Sequence, residues 1–377
     1  MNFFIFFISV LITGCSTLAP IEQRKSWVTV NTPIEINGLS HMTCFAESNR
    51  VHIFSGIGED REGPLNNIGY SYDVVKKTWS RWENKSGPNP LQNFAFVKDQ
   101  EEVYIFGGQD ADWPDGSNFL FRYSLKDLTW TQISGVDNLD PRWRPTMIET
   151  GSKLFFYGGK GQSGELNTAV YDLRQKQIKI LVPPPQLGTR VSSIAAAHDS
   201  KFLIIGGSIG QTRKSDGFLY DGNTDTWSEI TNSNLGARVN SKTVLDGEKL
   251  YVMGGSVDYS RQIFGSIYDF NKRSWSEIPK IDGFDDFKGF EIALLPSEGI
   301  LFWGGRSKDN KYNNSMYFFR FKSNSWTNLK INNSPPGTMG GCMGVTDGKV
   351  AFAIGGIHLE KGKGLSHLKG LWILPAD

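Results

Sequence analysis

Basic side chains recur at one spacing along this chain. Arg142, Arg190, Arg238 and Lys288 each stand sixteen residues before a Gly-Gly doublet, those beginning at Gly158, Gly206, Gly254 and Gly304. Arg144 follows Arg142 by two. The stretches after the doublets add Lys160, Arg213, Arg261, Arg306 and Lys308, with Trp113, Tyr259 and His358. A guanidinium fork matches a carboxylate or phosphate bidentately, so bases gathered on one rim suit an acidic ligand: an acidic glycan, a sugar acid or an acidic peptide loop. The same donors can instead brace backbone carbonyls within a repeated frame. The corresponding positions in the other units hold Leu39, Leu91 and Met339, so the expected arc is one-sided.

Other combinations carry less chemistry. Gly206-Gly207-Ser208-Ile209-Gly210 fits the pattern of a nucleophile elbow. That device needs a strand feeding a helix, and Gln211–Gly217 has no helical periodicity. The acidic run Asp110–Asn118 departs from calcium-loop spacing by one residue before Gly116, and the twelfth position is Phe121 rather than Glu. His41, His52, His198, His358 and His367 stand at no metal-ligand spacing. No metal and no cofactor is expected, and catalytic residues stay unassigned. Cys44 and Cys342 lie on the first strands of neighbouring units, with equal parity when aligned on the doublets. They are expected to turn the same way and to stay unpaired.

The elements that position these residues repeat. Gly-Gly follows a short apolar run at 107, 158, 206, 254, 304 and 355, and Ser55-Gly56 is the same position with one glycine replaced. An aromatic stands seven residues before Trp in Tyr72/Trp79, Tyr123/Trp130, Tyr220/Trp227, Tyr268/Trp275 and Phe319/Trp326, while Tyr171/Ile178 keeps the spacing without the Trp. Gly is 42 of 377 residues, well above the usual ~7%, and 13% of residues are aromatic, which favours short strands and tight turns. Forty Lys and Arg balance 39 Asp and Glu, so no global field attracts nucleic acid.

A repeat of about 50 residues built this way resembles the Kelch repeat of β-propellers, over essentially all of 25–377. The resemblance implies an all-β, seven-bladed Kelch-type ring in which loops carry function. The seventh unit ends after Leu371–Leu374, one strand short, and Trp27 precedes Trp79 by one period. The N-terminal strand is therefore expected to complete the last blade and close the ring. Function is read as a non-enzymatic module for a protein or carbohydrate ligand on the loop rim, in a monomeric propeller. Two alternatives stay open: a sugar-processing enzyme, since the chain also resembles exported sialic-acid mutarotase/epimerase propellers, and a structural part of an envelope complex.

Residues Phe3–Gly14 are apolar, too short to span a bilayer and of signal-peptide length. Leu11-Ile12-Thr13-Gly14-Cys15 resembles a bacterial lipobox. That resemblance implies removal of 1–14, a lipid on Cys15 and a short tether over 15–24. It places the protein in the cell envelope, on the outer membrane, touching the bilayer through this lipid alone.

Overall fold

The computed structural model describes residues 19–57, 69–82, 86–89, 91–99, 101–110, 112–230, 235–257, 264–282, 288–306, 311–360 and 364–376. The expected leader, Cys15, Tyr259, Arg261 and Lys308 lie outside the described residues. No helix among those described is long and apolar enough to cross a membrane.

Seven four-stranded antiparallel sheets follow one another along the chain and form the blades of a ring. Blade 3 is representative, with strands Thr146–Thr150, Lys153–Tyr157, Thr168–Asp172 and Gln177–Leu181 in that order. Both faces of each sheet are covered by neighbours, so second strands such as Lys153–Tyr157 are apolar at nearly every position rather than alternating. Leu154 and Phe156 pack toward blade 2, and Phe155 and Tyr157 toward blade 4. One apolar cluster fills each seam between adjacent blades, the core being distributed around the ring.

The recurrent aromatics lie directly opposite each other on the third and fourth strands, as in Tyr72–Trp79 and Tyr220–Trp227. The Asp after the Tyr shapes the turn between those strands. Asp73 accepts hydrogen bonds from the Val75 and Lys76 N–H groups, and Asp172 from those of Arg174 and Gln175. The doublets are clasps between blades. Gly158 has φ +58°, and a Cβ there would stand 2.2 Å from the carbonyl oxygen of Arg190 in blade 4. This close approach lets the Gly159 N–H donate to that oxygen at 2.9 Å. Gly108, Gly207, Gly305 and Gly356 make the same bond to Arg142, Arg238, Thr338 and Leu39.

Closure follows the expectation. Val28–Val30 pairs with Leu371–Leu374, so the chain's first strand is the outer strand of blade 7. Trp27, 2% exposed, enters the seam between blades 6 and 7. The Arg24 side chain donates to the carbonyls of Lys349 (2.6 Å) and Leu374 (3.5 Å). Leu371–Leu374 is thereby paired on both sides and presents no free edge of its own.

The cysteine expectation is corrected. Cys44 and Cys342 form a disulfide between blades 1 and 7, with Cα atoms 6.0 Å apart. Turn length reverses the parity of the two first strands. Four residues before the doublet, Val51 of blade 1 pairs with Ala46 across four intervening residues, whereas Ala351 of blade 7 pairs with Val345 across five. Counting back from the doublet therefore slips by one, and a one-residue slip turns every side chain to the other face. Cys44 lies opposite Ile53 and Cys342 opposite Ile354, and all four face the same seam.

Candidate functional site

The three aligned arginines are buried, Arg142 and Arg190 at 0% and Arg238 at 1% exposure. Each guanidinium donates to the first glycine carbonyl of its own blade: Gly158 from Arg142 (3.3 Å), Gly206 from Arg190 (3.0 Å) and Gly254 from Arg238 (2.7 Å). Arg142 also donates to the Asp140 and Asn167 carbonyls. Arg190 donates to those of Leu187 and Gln186, with the Asp216 carboxylate at 2.7 Å, and Arg238 to that of Leu235. Burial pulls the pKa of Arg142 and of Arg238 down to about 10, which leaves both charged at neutral pH. These side chains brace the loop frame and present no face to a ligand, so the expected arc of solvent-facing bases is absent at all three positions.

Lys288 departs from the series for another reason. Three residues, 296–298, separate the first two strands of blade 6 (Leu295 pairs with Gly299), one more than in blades 1–5. The register slips by one, and Lys288 pairs with Arg306 as Trp143 does with Lys160 and Val191 with Ser208. Lys288 is exposed.

An arginine brace should be costly to remove. Arg190→Met leaves several backbone carbonyls and the Asp216 carboxylate without their cation. It should lower unfolding free energy by about 3 kcal/mol. Urea unfolding followed by tryptophan fluorescence measures this, and a change within error of zero would overturn the brace assignment.

Two residues beyond the position of Arg142 and its counterparts in blades 1–5, and one beyond Lys288 and Met339 in blades 6 and 7, lies a ring of left-handed backbone. His41, Asn93, Arg144, Ser192, Asn240, Gly289 and Gly340, one per blade, all have φ between 51° and 71°. Backbone bonds link successive members. N–H groups of His41, Arg144 and Gly340 donate to the carbonyls of Gly340 (2.8 Å), Asn93 (2.6 Å) and Gly289 (3.3 Å). Left-handed backbone is unfavourable for non-glycine residues, and these cross-blade bonds hold it. The sequence signal was partial: an offset of two from the aligned positions finds His41, Asn93, Arg144, Ser192 and Asn240, but in blades 6 and 7, where the register slips by one, it lands on Phe290 and Gly341 instead of Gly289 and Gly340.

These residues line the mouth of the ring axis, a cavity of about 560 Å³. Arg144 from blade 3, Lys242 from blade 5 and Lys288 from blade 6 bring positive charge to it. Glu291 approaches Lys242 at 2.7 and 3.0 Å, so that pair neutralises itself. Burial pushes the Glu291 carboxyl pKa up, opposed by Lys242. Arg144 donates to Asn93 Oδ1 (3.2 Å), and the Arg144 and Lys160 cations both lie 5.2 Å from the Trp143 ring.

Of the sequence candidates, then, the structure brings Arg144 and Lys288 together at the mouth, with Lys160 beside Arg144. Arg213 and His358 sit apart, and Arg306 is the strand partner of Lys288 without itself lining the mouth. Arg213 is on a two-residue ribbon of blade 4, Arg306 ends the second strand of blade 6, and His358 on a blade 7 ribbon faces Ser366. Trp113 stands off axis on the same end, above blade 2. Ser208 lies in that blade 4 ribbon and not at a strand-to-helix turn. The Asp110 carboxylate is taken by its own turn, accepting from the Asp112 (2.8 Å) and Trp113 (2.7 Å) N–H groups. His52, buried in the seam between blades 1 and 2, bonds Ser71 Oγ at 2.7 Å, and burial depresses its pKa to about 3. That His–Ser pair is closed to substrate.

Residues 21–177 match the KLHDC2/KLHL20/DRC7 Kelch-repeats domain, and residues 168–340 match the Rax2 C-terminal beta propeller domain. The chain is a seven-bladed Kelch-type β-propeller. Among curated proteins, this Kelch propeller is 26% identical over 191 residues to an N-(sulfonatooxy)prop-2-enimidothioate sulfolyase of Thlaspi arvense. That alignment covers 42% of this chain and 55% of the relative. It is 31% identical over 137 residues to human Kelch-like protein 6, covering 36% and 20%, and 23% identical over 155 residues to Tip elongation aberrant protein 3 of Schizosaccharomyces pombe, covering 39% and 14%. The chain thus spans about half the length of the first of these relatives and less of the others.

Proposed function

We propose that this Kelch propeller is an exported, lipid-anchored interaction module whose axial mouth takes an acidic segment of a partner. The fold is typical of protein-interaction modules, and a Kelch-like protein is among the relatives. The observation that carries the ligand class is the convergence of Arg144 and Lys288, from blades 3 and 6, on one cavity. A partner protein or an acidic glycan supplies the same carboxylate chemistry. Export and anchoring are supported by the Leu11–Cys15 sequence and by the Cys44–Cys342 disulfide, since structural disulfides persist in oxidising compartments.

The test uses a fluorescent glutamate-rich peptide and the mature chain. Arg144→Ala with Lys288→Ala should weaken binding about tenfold, from two exposed contacts each under ~1 kcal/mol, without moving the melting temperature. Binding should also weaken with salt. Equal affinity of variant and parent would end the acidic-ligand reading. Mass spectrometry of the N-terminal peptide tests the anchor: a diacylglyceryl Cys15 supports it, and retained residues 1–14 oppose it.

A second reading, enzymatic, rests on the Lys242–Glu291 pair at the same mouth and on the relative named as a sulfolyase. A buried acid beside a base in a cavity can move a proton. Sugar-ring turnover by the parent and its loss in Glu291→Gln would favour that reading. Mutarotation of sialic acid, followed by NMR, is the direct assay.

A further inference from the structure

Among the described residues Trp113 is the only aromatic side chain in the exposed class, at 46%. The chain has 48 aromatics, and the other described ones are buried or half-buried. An indole left out of that packing calls for a reason. The described residues on either side of the indole are tied down. Asp110 caps its turn, and the Gly116 N–H donates to the Trp113 carbonyl at 3.1 Å. Gly116 lies so close to blade 3 that a Cβ on it would stand 2.3 Å from the Arg142 carbonyl carbon. Phe119 meets the Trp113 ring at 89° with centroids 5.5 Å apart.

Trp113 borders a cleft of about 720 Å³ between blades 2 and 3, at the same end of the ring as the mouth. Among the described residues the lining includes Asp112, Asp115, Asp140, Pro141 and Gln162, and no Lys or Arg; Asp140 is offset by the Arg142 guanidinium 3.7 Å away, so Asp112 and Asp115 carry the uncompensated charge. Asp115 accepts from Gln162 Nε2 at 2.9 Å, which ties the two walls together. The carboxylates stand around the cleft and do not converge on a point: among the described residues no three His, Cys, Asp or Glu gather closely enough to hold a metal ion. An indole face surrounded by spread negative charge is the environment that attracts an organic cation, whose charge is diffuse and whose stem is apolar.

We infer that this cleft receives a lysine or arginine side chain of the partner. The inference rests on the interaction-module reading and adds to it: the partner segment carries a base for the cleft and an acid for the mouth, so opposite charges set its orientation.

The probe is Nα-acetyl-lysine methylamide, titrated into mature protein carrying ¹⁵N-labelled indoles. The Trp113 resonance is assigned with Trp113→Phe. The amine should shift that resonance, and Asp112→Asn with Asp115→Asn should weaken the effect at least tenfold. Trp113→Ala should abolish amine binding measured by calorimetry, with the melting temperature unchanged. Methyl glucoside, a neutral probe of similar size, should leave the resonance in place. An equal shift by the glucoside, no shift by the amine, or full amine binding by the Asn variant would each overturn the inference. Arg144→Ala with Lys288→Ala should leave amine binding intact. If glutamate-peptide binding fails while amine binding persists, the mouth reading falls and the cleft stands.

Discussion

A chain that starts at Asn31 should not form a stable ring. It lacks Val28–Val30, the outer strand of blade 7, and leaves Leu371–Leu374 with an open edge. It also lacks Trp27, whose burial in the seam between blades 6 and 7 removes on the order of 200 Å² from water, or about 5 kcal/mol. The bonds from Arg24 to the Lys349 and Leu374 carbonyls go with it. Those losses rival the whole stability of a typical domain, about 5–15 kcal/mol. Near-ultraviolet circular dichroism and size-exclusion chromatography should show lost tertiary signal and association through the exposed edge. A truncated chain that stays monomeric and melts with the parent would mean that the ring is held elsewhere.

Removing the disulfide should produce the next largest effect. Cys44 and Cys342 are separated by 298 positions, so the bond restrains nearly the whole propeller in the unfolded chain. Loop-closure entropy for that length gives about 6 kcal/mol, and measured values run lower because denatured chains keep some structure. Cys44→Ala with Cys342→Ala should therefore lose about 2–5 kcal/mol. Dithiothreitol should bring the parent's melting temperature down to the variant's and leave the variant's own unchanged. Full release of both thiols with no change in melting would remove the bond from the stability account. Disulfide and N-terminal strand act on the same blade, Cys342 on its inner strand and Val28 on its outer one, and both secure the joint that closes the ring.

The repeat was legible because its causes are local. A Gly-Gly that must accept positive φ, an Asp that caps a four-residue turn and an aromatic facing a Trp across a hairpin each act within a few residues. Such signals survive in the linear chain, and seven copies made the blade count and the N-terminal closure readable from Trp27 and the short last unit. The candidate site was legible in part: Arg144 and Lys288 do reach one cavity.

What the sequence could not carry was everything that depends on counting through a turn. Connections between first and second strands that differ by one residue look alike as polar stretches, yet the extra residue in blades 6 and 7 flips a strand's faces. That put Cys44 against Cys342 and took Lys288 out of line with Arg142. Burial was equally hidden. Arg142, Arg190 and Arg238 read as an arc of free bases because charge in a sequence has no depth. Only the ring brings the glycine carbonyls and the lead-in loops around each guanidinium, so that its donors are spent on backbone. The local chemistry of each unit was thus set by residue type and spacing. Which side chains face water, and which meet across the axis, was decided by the closing of seven sheets on one another, where a shift of one residue changes the neighbour and the neighbour decides the role.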